Sequence, residues 1–272
     1  MEIITSKQND RIKFLCKLHD RTKRNRYGMF LVEGYRELSR AMDNNISIDT
    51  IFFCEKFFKD IIQLNLIRRA ERKKLPVCKV STEVFEKISY RENCDGILGL
   101  ANFWSSDFPD IKLSKNAFIL VAERIEKAGN LGALMRSAES AGVDALILCD
   151  PITDIFNPNV ICASQGAVFS LPTIVTNNEQ TLAFLKTHSI QIFATIPSAK
   201  NIYFNENFVP HTAIIVGSEH DGLSDFWLKN TSIAKISLPQ KGMCDSLNVN
   251  DAAVIVLYEV LRQRMQKESK FT

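Results

Sequence analysis

Residues 118–150 read FILVAERIEKAGNLGALMRSAESAGVDALILCD, and this stretch decides the fold. The runs FILVAERI (118–125) and ALILCD (145–150) are apolar almost throughout, while Leu131, Leu134, Met135 and Ala138 between them recur at helical spacing. Strand, helix, strand, with little polar alternation in either strand, predicts a parallel pair covered on both faces. The pattern continues downstream. PTIVT, QIFATI, TAIIVG and AKISLP are strand-like, and helices are predicted near 156–170, 179–188, 224–230 and 248–266. The second half therefore reads as an α/β domain around a parallel sheet, where ligands bind beyond the carboxyl ends of the strands.

The first half shows a smaller version of the same alternation. MFLVEG, IDTIFFC, PVCKV and GILGLANF are strand-like, with helical patterns at 35–45, 58–74 and 82–92. The expected organisation is a basic N-terminal arm (1–28), a small α/β domain (29–103), a polar linker WSSDFPDIKLSKN (104–116) and the larger domain (117–272).

Composition excludes several classes. The 272 residues are 46% hydrophobic and 24% charged, so the chain forms a core. No apolar run nears the roughly 20 residues of a membrane helix, and no signal peptide is evident at the start. Seven scattered cysteines without a CxxC pair and four histidines without metal spacing predict free thiols, no metal, and a reducing compartment, the cytoplasm ahead of an organelle matrix. GxGxxG, GxxxxGK[ST], GxSxG and HExxH are all absent, which removes the usual sequence support for dinucleotide binding, P-loop, serine-hydrolase and zinc-protease chemistry. Net charge is only +3, yet residues 7–26 hold eight Lys or Arg against two Asp. Lys13, Lys17, Arg21 and Arg24, three or four apart, could line one helical face against a phosphate backbone; plain solubility is the alternative.

Three loops at strand ends carry the candidate chemistry. In the first (126–142), Asn130 starts a helix and Arg136 lies opposite its apolar stripe, flanked by small Ala133, Ser137 and Ser140. A capping Asn and a solvated Arg are the ordinary readings; an open approach to the guanidinium is the other. In the second (212–227), Glu219 follows Gly217 and Ser218 at a strand end, as a solvated turn residue or as an anchor for a polar partner. The third, QKGMCDSLNVNDAAVIVLYEV (240–260), sets Asp245, Ser246, Asn248, Asn250 and Asp251 before a helix apolar almost all round. One such residue caps a helix, so Ser246 and Asn248 are surplus and need partners in other loops or in a ligand.

Together, NLGALMR (130–136), GSEHDGL (217–223) and SLNV (246–249) resemble the three signature motifs of the SpoU family of RNA ribose methyltransferases, in the SPOUT superfamily. The resemblance covers roughly 115–266. More loosely, 29–102 resembles that family's ribosomal-protein-like substrate-binding module, and the leader from Ile4 resembles members acting on ribosomal RNA. Lys127-Ala128 stands where the family usually has Asp-Pro, and Asn250-Asp251 where it favours small or apolar residues.

The resemblance implies a parallel sheet with a deep trefoil knot, S-adenosylmethionine as methyl donor, and a homodimer completing the site. Gly217, Leu238 and Leu247 would offer backbone groups to the cofactor, with Thr195 beside them. Ser246 and Asn248 would hold the knot loop and the ribose, and Glu219 and Asn130 would fix the network. Arg136 would be catalytic, either as a base or as a clamp on phosphate and developing alkoxide; a guanidinium stays protonated in proteins, which favours the clamp. The expected substrate is ribosomal RNA of the large subunit, ahead of transfer RNA. A non-catalytic ribosome-assembly factor, a base methylase and a small-molecule α/β enzyme are the rivals.

Overall fold

The computed structural model describes residues 3–243 and 245–268; Cys244 and the chain ends lie outside them. The six described cysteines are free. In chain order the first half forms β1 (Ile3–Ile4), α1 (Asp10–Lys17), α2 (Arg21–Tyr27), β2 (Met29–Glu33), α3 (Tyr35–Asp43), β3 (Ile48–Phe53), α4 (Ile61–Arg72), β4 (Val77–Val80), α5 (Thr82–Ile88) and β5 (Ile97–Asn102). A 3₁₀ turn at Phe108–Asp110 leads into the second half. There the chain forms β6 (Phe118–Glu123), α6 (Ala128–Ser140), β7 (Ala145–Cys149), α7 (Pro158–Ala163), β8 (Thr173–Thr176), α8 (Asn178–Thr187), β9 (Gln191–Thr195), β10 (Asn201–Ile202), β11 (Thr212–Val216), α9 (Asp225–Leu228), β12 (Ala234–Ser237) and α10 (Val249–Glu268).

Two compact units result: residues 3–105 with 154–170, and residues 106–153 with the described remainder from 171. The first has a mixed sheet in the order β1-β4-β3-β5-β2, with β5 antiparallel to β3 and β2. Residues before 28, expected as an arm, belong to this unit. Asn9 caps α1 by accepting from the Arg11 N–H, Asp20 caps α2 through the Lys23 N–H, and Gly28 ends α2 at a left-handed φ of 63°. Ile12, Leu15 and Leu18 are buried in the core beneath them, each contributing about 2 kcal/mol. Segment 154–170, expected in the larger domain, also packs here: Phe156 stacks on Phe103 at 3.8 Å and, with Phe169 and Trp104, surrounds Phe30.

The second unit has seven parallel strands in the order β10-β12-β9-β11-β6-β7-β8. Strands β6, β7 and β11 are buried along their whole length, as their unbroken apolar runs require. The expected linker contributes Phe108, Ile111 and Leu113 to the edge of this core, and Ser114 donates to Asp144 through both its N–H and its hydroxyl. Helix α10 returns from the β12 side to pack on α6 and β11, burying Ala253, Val256, Leu257 and Val260 completely. Near its far end the Arg264 guanidinium donates to the carbonyls of Phe208, Asn116, Ala117 and Pro210, which fastens the helix to the sheet.

The chain builds outward from β6 to β7 and β8 on one side, then fills the other side with β9, β11 and β12. Adjacent central strands β6 and β11 thus launch loops, 124–127 and 217–224, at the point where the winding changes direction. Crevices form at such switch points.

Candidate active site

A cavity of about 500 Å³ opens at this switch point, bounded by the ends of β9 and β11, the segment after β12 and the first turn of α10. That size suits a cofactor or nucleotide-sized ligand. Asn130, Thr195, Gly217, Glu219, Leu238, Ser246, Leu247 and Asn248 all line it. Its apolar wall comes from Ile196, Leu238 and Leu247, and its polar wall from the Glu219 and Asn248 loops.

The polar wall is one connected network. The Glu219 carboxylate accepts from the Asn130 side-chain amide at 2.7 Å and from the N–H groups of Glu126 and Lys127 at 3.1 and 3.2 Å. Partial burial alone would raise its pKa, but the Asn130 amide and the surrounding N–H groups outweigh that and hold it below the ordinary glutamate value. Asn130 in turn accepts from the Asn248 amide at 3.2 Å. Asn248 caps α10 by accepting from the Asn250 N–H at 2.9 Å, and the Ser137 hydroxyl donates to the Asn250 side chain at 2.9 Å. Of the surplus polar residues ahead of α10, Asn248 is therefore both a cap and a bridge to Asn130 and Glu219, while Ser246 lines the cavity.

Gly217 is required by its own loop. A Cβ there would lie 2.2 Å from the Gly222 carbonyl carbon and 2.4 Å from the Leu223 nitrogen. Ser218 and Gly222 exchange backbone hydrogen bonds at 3.0 and 3.2 Å, which folds 217–222 back on itself. Beside it, exposed His220 and Asp221 pair at 2.8 Å; the hydrogen bond raises the histidine's pKa and lowers the aspartate's.

The model of the SpoU rRNA Methylase family matches residues 117–258, and that of an MRM3-like substrate binding domain matches residues 9–99. The chain belongs to the SpoU rRNA methylase family. A solved RNA 2′-O ribose methyltransferase is similar over 97% of this chain and 100% of its own, at 37% identity and a TM-score of 0.85. The AdoMet-bound rRNA methyltransferase of Sinorhizobium meliloti is 25% identical, covering 96% of this chain and 97% of its own, with a TM-score of 0.86. Among curated relatives, the 23S rRNA (guanosine(2553)-2′-O)-methyltransferase of Bacillus subtilis is 26% identical over 96% of this chain and 99% of its own.

Of the nine catalytic and cofactor-binding residues that the SpoU resemblance implies, eight meet at the cavity and one stands apart. Arg136 is exposed on α6, outside the cavity wall. Thr195 lines the cavity, with its hydroxyl donating to the Ile215 carbonyl at 2.9 Å. Of the four residues expected to touch RNA, Lys13, Lys17 and Arg21 are exposed. Arg24 is not: it is 1% exposed, donating to the Leu18 and His19 carbonyls and pairing with Asp154 at 2.8 Å. Its place in the basic run concealed that its turn of α2 faces inward. Residues the motif reading passed over are Lys127, His220 and Gln240 on the cavity and Glu123 behind it. A carboxylate ending the apolar run FILVAE was the available signal for the last. Among the described residues no group of His, Cys, Asp and Glu could hold a metal, and no helix is long and apolar enough to cross a membrane.

Proposed function

We propose that this protein binds S-adenosylmethionine in the switch-point cavity and transfers its methyl group to a ribose 2′-hydroxyl of large-subunit ribosomal RNA. The observation that carries this is the convergence of eight expected site residues, six of them in the three motifs, on one cavity, tied by the Glu219–Asn130–Asn248 chain. The cavity fits such a cofactor: Gly217, Leu238 and Leu247 line it beside apolar Ile196, where their backbone groups would meet it. Bound there, the cofactor supplies a methyl group on a sulfonium, a good leaving group.

What remains for the protein is alignment and care of the hydroxyl proton. The 2′-oxygen forms the new O–C bond, the C–S bond breaks to leave a neutral thioether, and the proton passes to solvent. Glu219, with its carboxylate engaged by three donors, orients the loops and is poorly placed to act as the base. Ser246 and Asn248 lie where they can hold the ribose. Arg136, whose guanidinium keeps its proton, grips a phosphate or the developing alkoxide.

The reading includes a homodimer. A helix apolar on all sides is normally buried, yet α10 leaves Ile255 and Tyr258 38% and 46% exposed, and a second copy would cover this face. It also makes the return of α10 from the β12 side a trefoil knot, takes the 29–103 module and the basic helices before it as the RNA-binding part, and places the protein in the cytoplasm. The test is methyl transfer from labelled S-adenosylmethionine to ribosomal and transfer RNA lacking the modification, comparing the natural sequence with Arg136→Ala. Label in ribosomal RNA that is lost in the variant supports the reading; label only in transfer RNA overturns the substrate assignment.

A further inference from the structure

The two loops at the switch point clamp each other reciprocally. At the cavity, Glu219 of loop 217–224 accepts from Glu126 and Lys127 of loop 124–127 and from Asn130 in the first turn of α6. At the root the roles reverse. Glu123, the last residue of β6, accepts from the Ser224 N–H at 2.8 Å and from the Ser224 hydroxyl at 2.6 Å. Each side of the crevice thus carries one carboxylate and the donors for the other.

The inner carboxylate is the more deeply placed, at 1% exposure. Asn178 donates to it at 2.5 Å, and the Trp227 indole N–H donates to Asn178 at 2.9 Å, with Trp227 itself fully buried. A carboxylate taken out of water is costly unless its oxygens are fully hydrogen-bonded. This one is held by three neutral donors, and an acceptor-only group is what those donors demand. A glutamine would turn an NH₂ toward at least one N–H or O–H. Glu123 lies outside the cavity wall and touches no reacting atom.

We propose that Glu123 is a positioning residue for methyl transfer, fixing the root of loop 217–224 and through it the seats of Gly217 and Glu219 at the cavity. The assignment rests on the methyltransferase reading above for its functional meaning, but the geometry it describes is testable alone. The internal bonds of loop 217–222 close the turn on itself, Glu219 anchors its outer end, and Leu223, buried in the core, adjoins the Ser224 root that Glu123 holds. Satisfied buried polar networks of this kind specify one arrangement, whereas partly satisfied ones loosen locally.

The experiment compares the full chain with Glu123→Gln, Ser224→Ala, Glu219→Gln and the Glu123→Gln/Glu219→Gln double variant. The readouts are amide hydrogen exchange across 218–222 and the S-adenosylmethionine dissociation constant by calorimetry. In Glu123→Gln we expect exchange in 218–222 to quicken about 10-fold and the dissociation constant to rise about 10-fold, the size of one lost charged hydrogen bond. Strands β7 and β8 should keep their protection. Ser224→Ala should move both readouts the same way by less, and the double variant should be milder than the product of the singles, since both act on one loop. Unchanged exchange at 218–222, or uniform quickening across the whole unit, overturns the proposal. If Glu123→Gln fails to fold, Ser224→Ala decides by the same criteria. A natural-sequence protein that binds no S-adenosylmethionine contradicts the function, while the exchange comparison still decides the role of Glu123.

Discussion

The side-chain amide of Asn130 donates to the Glu219 carboxylate at 2.7 Å across 89 residues of sequence, joining the loop after β6 to the loop after β11. Asn130 also accepts from Asn248, so a single amide group couples all three motifs.

Replacing Asn130 by Ala leaves Glu219 and Asn248 each short of a partner. A lost hydrogen bond to a charged group costs about 1.5–3 kcal/mol, so kcat/KM should fall roughly 10- to 100-fold with the fold intact. Asn130→Asp should do worse, since it sets a second carboxylate against Glu219. Steady-state kinetics on both variants, with thermal unfolding as control, check this ordering.

The Glu219 clamp should also be pH-dependent. Its folded pKa lies below the unfolded value near 4.5, so the stability it contributes is fully present above about 4.5 and is lost as pH falls through the folded value. The stability gap between the natural sequence and Glu219→Gln should therefore be widest at neutral pH and narrow on acidification below 4.5. Chemical denaturation at a series of pH values measures that gap directly.

Gly217→Ala is expected to abolish cofactor binding. The new Cβ would overlap backbone atoms of Gly222 and Leu223, which have no flexible end to move aside. The turn must open, taking Glu219 with it. Calorimetric titration with S-adenosylmethionine should show no binding while the sheet still unfolds cooperatively.

Much of this was legible in the chain because the strands are buried on both faces and announce themselves as unbroken apolar runs, as at Phe118–Glu123 and Thr212–Val216. Residues at their ends then converge by topology alone, which is why eight of the expected site residues share a cavity. Other features left no local signal. Strand β1 is two residues long, below any periodicity, and pairs with β4 across more than 70 positions. Segment 154–170 joins the first unit through Phe156 and Phe169, whose partners lie more than 50 residues upstream. Arg24 looks like its basic neighbours until α2 turns it toward Asp154. The resemblance gives Gly217 only a backbone contact to the cofactor, whereas its nearest constraint is Gly222 of its own turn.

The basic residues should separate by role. Lys13→Ala and Lys17→Ala each remove an exposed charge and should lower RNA affinity, reducing the slope of affinity against log salt by about one. Arg24→Met should leave that slope alone and instead destabilise the first unit by about 3 kcal/mol, because it removes the buried partner of Asp154 and leaves that carboxylate to the half-exposed Arg21, 3.6 Å away. Filter binding at several salt concentrations, beside denaturant unfolding, distinguishes the two.

The most direct test is to incubate the protein with labelled S-adenosylmethionine and unmodified 23S ribosomal RNA, digest to nucleosides and locate the methyl group by mass spectrometry. The account predicts one 2′-O-methylated nucleoside, formed roughly 10- to 100-fold more slowly with Asn130→Ala. A methyl group on a base, or no transfer to ribosomal RNA by a protein that binds the cofactor, would contradict the account.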